Sequence, residues 1–535
     1  MSSISDNSVR FLSGDEAVAE AAKDAGVVFG SGYPGTPSTE ILEHFSTIGG
    51  NAEWSPNEKT AYETALGVAF AGTRALVTMK HVGLNVAADP FFTSAYTGVK
   101  GGFVVVSADD PGMASSQNEQ DNRHYAIAAG VPMLEPSDSQ EAYDFTLWAY
   151  EISEKWNTPV LLRMTTRVCH SYSIVKRSCF IRPPAQPEFN IDVKSQVMIP
   201  AYARLAHRKL RTKLAQIKEW NEDFKINTIF EGDPELGIIT SGVTYQHVRE
   251  AAPTAKILKL GMTYPLPEKL ITSFVNSVKR CLVIEEGDPW LETHIKALGL
   301  KVDGKPEIYR FGELNVGRVR RILQGNTEPE QQIPAGKPPQ LCEGCSHRVV
   351  FEALKDLNCI VAGDIGCYTL GTLPPYEALH TCVCMGGAIT IGLGLRHALP
   401  EEQASKVVSV IGDSTFIHSG ITGLIEMIYN PPATGHLVII LDNSTTAMTG
   451  HQEHPGTGRT IDHQPTGKVV YEDLAKALGI GNVHVFEVGK DSAPLKKLIN
   501  DCLQSRKLSL IIARRPCILV AKRIRELESK SLKIS

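Results

Sequence analysis

The chain has 535 residues, 42% of them apolar and 21% charged, with 45 glycines and a formal net charge of −5. That composition suits an α/β protein of about three or four domains, and so small a charge excludes a general polyanion partner such as nucleic acid. No apolar run approaches the ~18 residues of a membrane span, and the polar start "MSSISDNSVR" is no signal peptide, so a cytoplasmic protein is expected.

Residues 1–180 alternate helix and strand. "GDEAVAEAAKDAG" has a helical period, "VVFGSGYPGTPS" is a strand running into a Gly/Pro turn, and "GGFVVVSADDPG" and "TPVLLRMTTRV" are further strands. This alternation predicts a doubly wound parallel sheet. Residues 181–232 break the rhythm with the linker "RPPAQPEF" and a basic amphipathic helix, "ARLAHRKLRTKLAQIKEWNEDF", read as a solvated bridge between domains. From 233 to 325, "LGIITSG", "AKILKLG", "CLVIEEG" and "PEIYRFG" read as short buried strands with no nucleophile or phosphate loop, which predicts a structural or subunit-contact domain. A second Pro-rich linker (326–337) leads to a third α/β domain (338–525) and a short tail (526–535).

The third domain holds nearly all the chemistry. "KVVSVIGDS" (406–414) and "HLVIILDN" (436–443) are apolar strands that deliver Asp413 and Asn443, one strand–helix–strand unit apart. Both are therefore predicted at the carboxyl ends of adjacent parallel strands, where open α/β sheets bind ligands. A carboxylate, an amide oxygen, a backbone carbonyl and phosphate oxygens suit the octahedral demands of Mg²⁺. The pattern resembles the Mg²⁺/diphosphate motif of thiamin diphosphate enzymes. That implies Asp413 and Asn443 as metal ligands, a carbonyl from Thr445, Gly412 before the acid, and Ser414 where Gly is commonest. Gly386 and Gly387 in "CMGGAITIGLGLRHAL" open a helix whose free N–H groups offer a phosphate cradle.

Thiamin chemistry also needs a carboxyl against the aminopyrimidine. Glu58 in "EWSPNEKTAYETALGVAFAG" is the candidate, although Ser55-Pro56-Asn57-Glu58 equally reads as a capping box with Pro at the first helical position. Four of the eleven cysteines lie in loops of the third domain: Cys342 and Cys345 in "CEGCSH", Cys367 in "GDIGCYTLG" and Cys517 in "ARRPC". Thiolates from three loops suit a [4Fe–4S] cluster or Zn²⁺, and their spacing leaves both open. Cys382 and Cys384 read as buried small residues, Cys359 and Cys502 as packing.

"YPGTPSTEI", "NEKTAYETALG", "MKHVGLNVAADP", "SQNEQDNR", "CEGCSHR", "GDIGCYTLG", "TCVCMGGAI", "DNSTTAMTGHQ" and "ARRPC" follow one another in this order. Together they resemble the large (alpha) subunits of indolepyruvate ferredoxin oxidoreductases, a branch of the 2-oxoacid:ferredoxin oxidoreductases. The resemblance covers nearly the whole chain. It implies a pyrimidine-binding domain, a transketolase C-terminal-like domain and a diphosphate domain, with Cys342, Cys345, Cys367 and Cys517 holding one [4Fe–4S] cluster. It further implies oxidative decarboxylation of 2-oxoacids, arylpyruvates such as indolepyruvate among them, to acyl-CoA and CO2. The implied partners are a small gamma- or beta-like subunit, in a dimer of heterodimers, and an electron acceptor. Thr36, Lys80, His81 and Arg123 are candidates around the substrate carboxylate and its developing oxyanion.

Members of this branch usually continue into two CxxCxxCxxxCP runs. None occurs in this sequence, so a separate iron–sulfur or flavin polypeptide is expected to carry electrons onward. The alternatives are a non-oxidative thiamin-dependent decarboxylase or lyase with a structural metal, and a non-catalytic scaffold. The loop cysteines speak against the first, and Asp413, Asn443 and Glu58 against the second.

Overall fold

The computed structural model describes residues 9–177, 182, 184–330 and 339–531. Cys179, the linker expected at 326–337 from residue 331 onward, and the end of the tail lie outside them. The chain divides into two compact units, residues 1–331 and 332–535. Among the described residues no helix is long and apolar enough to cross a membrane.

The first unit carries a seven-stranded sheet in the order Met262–Tyr264, Met133–Leu134, Val160–Thr165, Phe103–Asp109, Ala75–Lys80, Phe29–Gly32, Ala52–Trp54. All neighbours are parallel except the first pair. Every residue of Phe103–Asp109 is buried, because helices cover both faces and leave no side for alternation. The edge strand Met262–Tyr264 comes from the region read as a separate domain, so the middle region completes the first sheet as well as building its own. That second sheet runs Arg280–Val283, Asp233–Ser241, Ala255–Leu260, Thr228–Phe230, with only the last pair antiparallel.

"PEIYRFG" does not form the strand expected of it. Pro306 starts a single 3₁₀ turn, Glu307–Tyr309, and the Tyr309 ring goes into the core while its hydroxyl donates to the Asn326 carbonyl at 2.6 Å. The basic segment is one helix, Pro200–Asn221, whose Ala206, Leu210, Leu214, Ile217 and Asn221 form a buried stripe at steps of three and four. Asn221 ends it by donating to the carbonyls of Met262 and Pro265, at 3.2 and 2.8 Å, which fixes the helix to the edge strand.

The second unit is built on an all-parallel sheet, Ile360–Ala362, Val407–Gly412, His436–Asp442, Leu508–Arg514, Asn482–Glu487. Along His436–Asp442 the period is two: Leu437, Ile439 and Leu441 pack into one apolar layer, Val438 and Ile440 into the other. The sheet is thus doubly wound. Its carboxyl ends collect the third domain's polar residues.

Candidate active site

In the first unit, Glu58 is buried at the start of the helix Glu58–Phe70. The cap is Asn57, whose side chain accepts from the Thr60 amide at 2.9 Å, so Ser55 is not the cap and Pro56 lies outside the helix. A shift of two residues decides this, since Asn57 has the extended backbone of a cap. Gly83 makes the space for the Glu58 carboxyl: a Cβ there would meet its Oε1 at 2.7 Å. Thr36 is half-buried on the turn after Phe29–Gly32, and the neighbouring Gly35 lies on the Lys80 stem, where a Cβ would meet Cγ at 3.1 Å.

Lys80 and His81 brace the loop that follows Asp110 instead of standing open in the crevice. The Lys80 ammonium donates to the Ser115 carbonyl at 2.9 Å, while the fully buried His81 ring holds the Asn118 carbonyl at 3.1 Å. Burial lowers the Lys80 pKa, and the carboxylates of Asp110 and Glu58 counter it. The Nδ1 of His81 is buried with no hydrogen-bond partner among the described residues.

Arg123 is likewise engaged by protein groups. Its guanidinium is fully buried, paired with Asp121 at 2.5 Å and Glu285 at 2.6 Å, and donates to the carbonyls of Glu286 and Asp288. These partners fasten the loop before Arg123 to the middle sheet. Replacing Arg123 with Met should strip two buried acids of their main cation, leaving Asp121 with Arg163 at 3.6 Å and Glu285 with backbone amides, and destabilise the first unit by about 3–5 kcal/mol, read as a lower urea midpoint.

In the second unit, Asp413 and Asn443 leave adjacent parallel strands whose ends pair as Gly412 with Leu441. One Asp413 oxygen accepts from the Ser414 amide and the other from the Ser444 amide, both at 2.8 Å. Asn443 Oδ1 accepts from the Thr445 amide at 3.1 Å. Thr445 is buried and its hydroxyl donates to the Gln452 carbonyl, while Ser414 accepts from the Thr446 hydroxyl. Two residues missed from sequence join them. Asp442 is pushed upward by burial and by Asp413, against its bond to Arg514, and His454 Nε2 stands 3.4 Å from Asp413. The Ser444 amide donates to both Asp413 and Asp442, at 2.8 and 3.2 Å, and a carboxylate with oxygen lone pairs to spare, such as Asp413, suits a hard dication. The "DN" ending and the "HQEHP" loop were the available signals.

The glycines play other parts than expected. Gly386, with φ at +85°, caps the helix Gly387–Ala398, but its N–H and that of Ala388 donate to the Asp364 carboxylate, each at 3.0 Å. The Gly387 N–H goes to the Cys384 carbonyl. These amides are therefore satisfied by protein groups and do not form an open phosphate cradle. Burial lifts Asp364 to about 6, held back by its three amide donors. Gly412 serves packing: a Cβ would meet the Tyr368 ring at 2.7 Å.

The four loop cysteines do come together. Cys342, Cys345, Cys367 and Cys517 line one cavity of about 90 Å³, whose wall includes His347, Asn443 and His451. Gly344, at φ +75°, lets the "CEGC" turn close with the Cys345 amide on the Cys342 carbonyl, and the helix Ser346–Asp356 starts at once. The Cys517 amide donates to the Asn443 carbonyl at 2.9 Å, tying the thiol pocket to the metal-type site. Burial pushes the Cys367 thiol up to about 11, with Cys517, Cys345 and Cys342 adding to it. Among the described residues no three of these sulfurs lie within 4.8 Å of one another. Four thiols lining one cavity suit a polythiolate metal site. His347, buried beside Tyr368, is held down at about 4 by burial, against the pull of Asp413. Cys384 is exposed and Cys382 half-buried, so neither is the buried packing residue expected; Cys359 and Cys502 are buried.

Residues 364–513 match the family described as thiamine pyrophosphate enzyme, C-terminal TPP binding domain. Residues 20–188 match pyruvate flavodoxin/ferredoxin oxidoreductase, thiamine diP-bdg. "Indolepyruvate oxidoreductase subunit IorA" of Archaeoglobus fulgidus is 40% identical over 559 residues, covering 97% of this chain and 88% of that one. The protein of the same name from Methanothermobacter thermautotrophicus is 40% identical over 555 residues, 96% and 88%. A solved 2-oxoglutarate:ferredoxin oxidoreductase from Magnetococcus marinus, with 2-oxoglutarate, coenzyme A and succinyl-CoA bound, shares the fold at a TM-score of 0.51 and 20% identity, over 60% of this chain and 65% of that one. With relatives this similar along nearly its whole length, the chain belongs to the family of indolepyruvate oxidoreductase IorA subunits.

Proposed function

We propose that this chain is the thiamin-diphosphate subunit of an enzyme that oxidatively decarboxylates 2-oxoacids, arylpyruvates such as indolepyruvate foremost, to acyl-CoA and CO2. The observation that carries the reading is the cavity shared by four loop thiols and Asn443, because a non-oxidative thiamin enzyme has no use for a cluster pocket beside its metal ligands. The names of the curated relatives support the substrate class, and the coenzyme A bound in the Magnetococcus enzyme supports the acyl acceptor. We assign the pyrimidine-binding region to 1–180, a transketolase C-terminal-like region to 233–325, and the diphosphate region to 338–525.

When bound, thiamin diphosphate supplies the electron sink for decarboxylation and a [4Fe–4S] cluster the one-electron outlet. Asp413 and Asn443, with the Thr445 carbonyl, would hold Mg²⁺ against the diphosphate. Glu58, fixed at a helix start and given room by Gly83, would share a proton with the aminopyrimidine ring. Cys342, Cys345, Cys367 and Cys517 would hold the cluster. Lys80 and His81 act at one remove by fixing the loop at 115–118, and Thr36 stays the substrate-facing candidate. A small partner subunit and a separate electron-transfer protein complete the proposal.

The test is metal analysis of the chain co-purified anaerobically with its partner subunit. About four irons per chain and a bleachable absorbance near ~400 nm are expected, both lost in Cys345→Ser while thiamin diphosphate is retained. One zinc and no iron would overturn the assignment of the cysteines.

A further inference from the structure

A second group of ligand-type side chains lies in the first unit, apart from the residues discussed so far. One carboxylate oxygen each of Asp15 and Glu40 and one ring nitrogen of His170 all lie within 4.8 Å of one another. Asp15 sits in the first turn of the helix Gly14–Asp24, Glu40 in the first turn of Thr39–Thr47, and His170 at the end of Thr166–His170.

Asp15 is the informative member. Its side chain is fully buried, and among the described residues neither carboxylate oxygen has a partner at hydrogen-bond geometry, although the Cys169 thiol and the Glu40 carboxyl lie close enough to act on it. Burial first, then the Glu40 and Glu16 carboxylates, hold it well above the usual carboxylate range, against a smaller opposite pull from the Cys169 thiol. A buried carboxyl with anionic neighbours is costly to ionise unless something positive occupies the gap. His170 and Glu40 close that gap from the solvent side, their Nε2 and Oε2 3.9 Å apart, with side chains 41% and 49% exposed.

The frame is rigid where it needs to be. A Cβ on Gly14 would lie 2.1 Å from the Val168 carbonyl, so the start of the first helix rests directly on the backbone that carries His170 two residues later. Ser13 and Glu16 lock the same helix end with a reciprocal capping box. Asp15 and His170 are thereby set opposite each other by backbone packing. Glu40 and His170, being exposed, can close from 3.9 Å to the ~3 Å ligand edges of a metal with ~2.1 Å bonds by changing rotamer.

We infer that Asp15, Glu40 and His170 form a binding site for a first-row divalent cation that clamps three helices of the first unit together. One imidazole and two carboxylates select Zn²⁺, Mn²⁺ or Fe²⁺ over Mg²⁺ and Ca²⁺, which prefer all-oxygen shells. The exposed pair gives the ion its entry path, and water fills the remaining positions.

The experiment is calorimetric titration of the intact protein complex with Zn²⁺, in excess Mg²⁺, alongside its thermal unfolding. Wild type should take up one more equivalent of Zn²⁺ than the double variant Glu40→Gln/His170→Gln, and only wild type should gain unfolding temperature with Zn²⁺. His170→Gln alone should weaken that equivalent at least tenfold. Asp15→Asn separates the site from a merely protonated core acid: it should raise the unfolding temperature without Zn²⁺, by removing the buried carboxyl, yet abolish the Zn²⁺-dependent gain. Equal Zn²⁺ uptake by wild type and the double variant, or a Zn²⁺-dependent gain that survives in Asp15→Asn, overturns the inference.

Discussion

Asp413→Ala is expected to purify folded but without thiamin diphosphate, and to be inactive at any substrate concentration. Asp413 sits at the mouth of the sheet with one oxygen on the Ser414 amide and the other on the Ser444 amide, so its orientation is set before any ion arrives. Removing it takes away the anionic oxygen of the ligand set and leaves Asn443 and a carbonyl, too little for a strongly hydrated dication to shed its water. The fold should survive, because the strands on either side are held by apolar layers that the carboxylate does not touch. Cofactor content after gel filtration and far-ultraviolet circular dichroism check both halves. Full cofactor occupancy in this variant would remove Asp413 from the site.

Glu58→Gln is expected to do the opposite: keep the cofactor and lose the chemistry. The amide fills the space that Gly83 leaves and disturbs no cap, since the cap is Asn57. What it cannot do is pass a proton to the pyrimidine ring. Exchange of the thiazolium C2 proton, followed by nuclear magnetic resonance, should slow by about 10²–10⁴-fold with cofactor content unchanged. Wild-type exchange in Glu58→Gln would reduce Glu58 to the first residue of a helix.

Which of these residues could be read without coordinates follows from how local their determinants are. Asp413 and Asn443 were legible because an apolar strand ending in an acid is a local pattern, and its position at a sheet's carboxyl edge follows from the strand–helix–strand length. The four cysteines were legible because they interrupt loops instead of apolar runs. Arg123 was not: it opens a short helix after a polar loop, while its buried acid partner, Glu285, is 162 residues away just past a strand of another sheet. The bracing contacts of Lys80 and His81 were not legible for a related reason, because their partners are backbone carbonyls, which no side-chain pattern reveals. The glycine pair at 386–387 opened a helix as expected. The carboxylate that takes its amides, Asp364, sits after its own strand in "VAGD", the same pattern as "VIGD" before Ser414, and only the folded sheet shows which of the two acids caps and which stays with the metal-type cluster. "PEIYRFG" failed as a strand because Pro306 and the burial of Tyr309 outweighed its apolar alternation.

The most direct test of thiamin-dependent oxidation with a cluster outlet is to watch the iron–sulfur absorbance near ~400 nm when an arylpyruvate is added anaerobically to the chain with its partner subunit, with no external acceptor. Bleaching that requires thiamin diphosphate, appears with the 2-oxoacid and is absent in Glu58→Gln is the expected result. Release of CO2 with no change at the cluster would show that electrons do not leave through these cysteines, and would contradict the assignment of this chain as an oxidoreductase subunit.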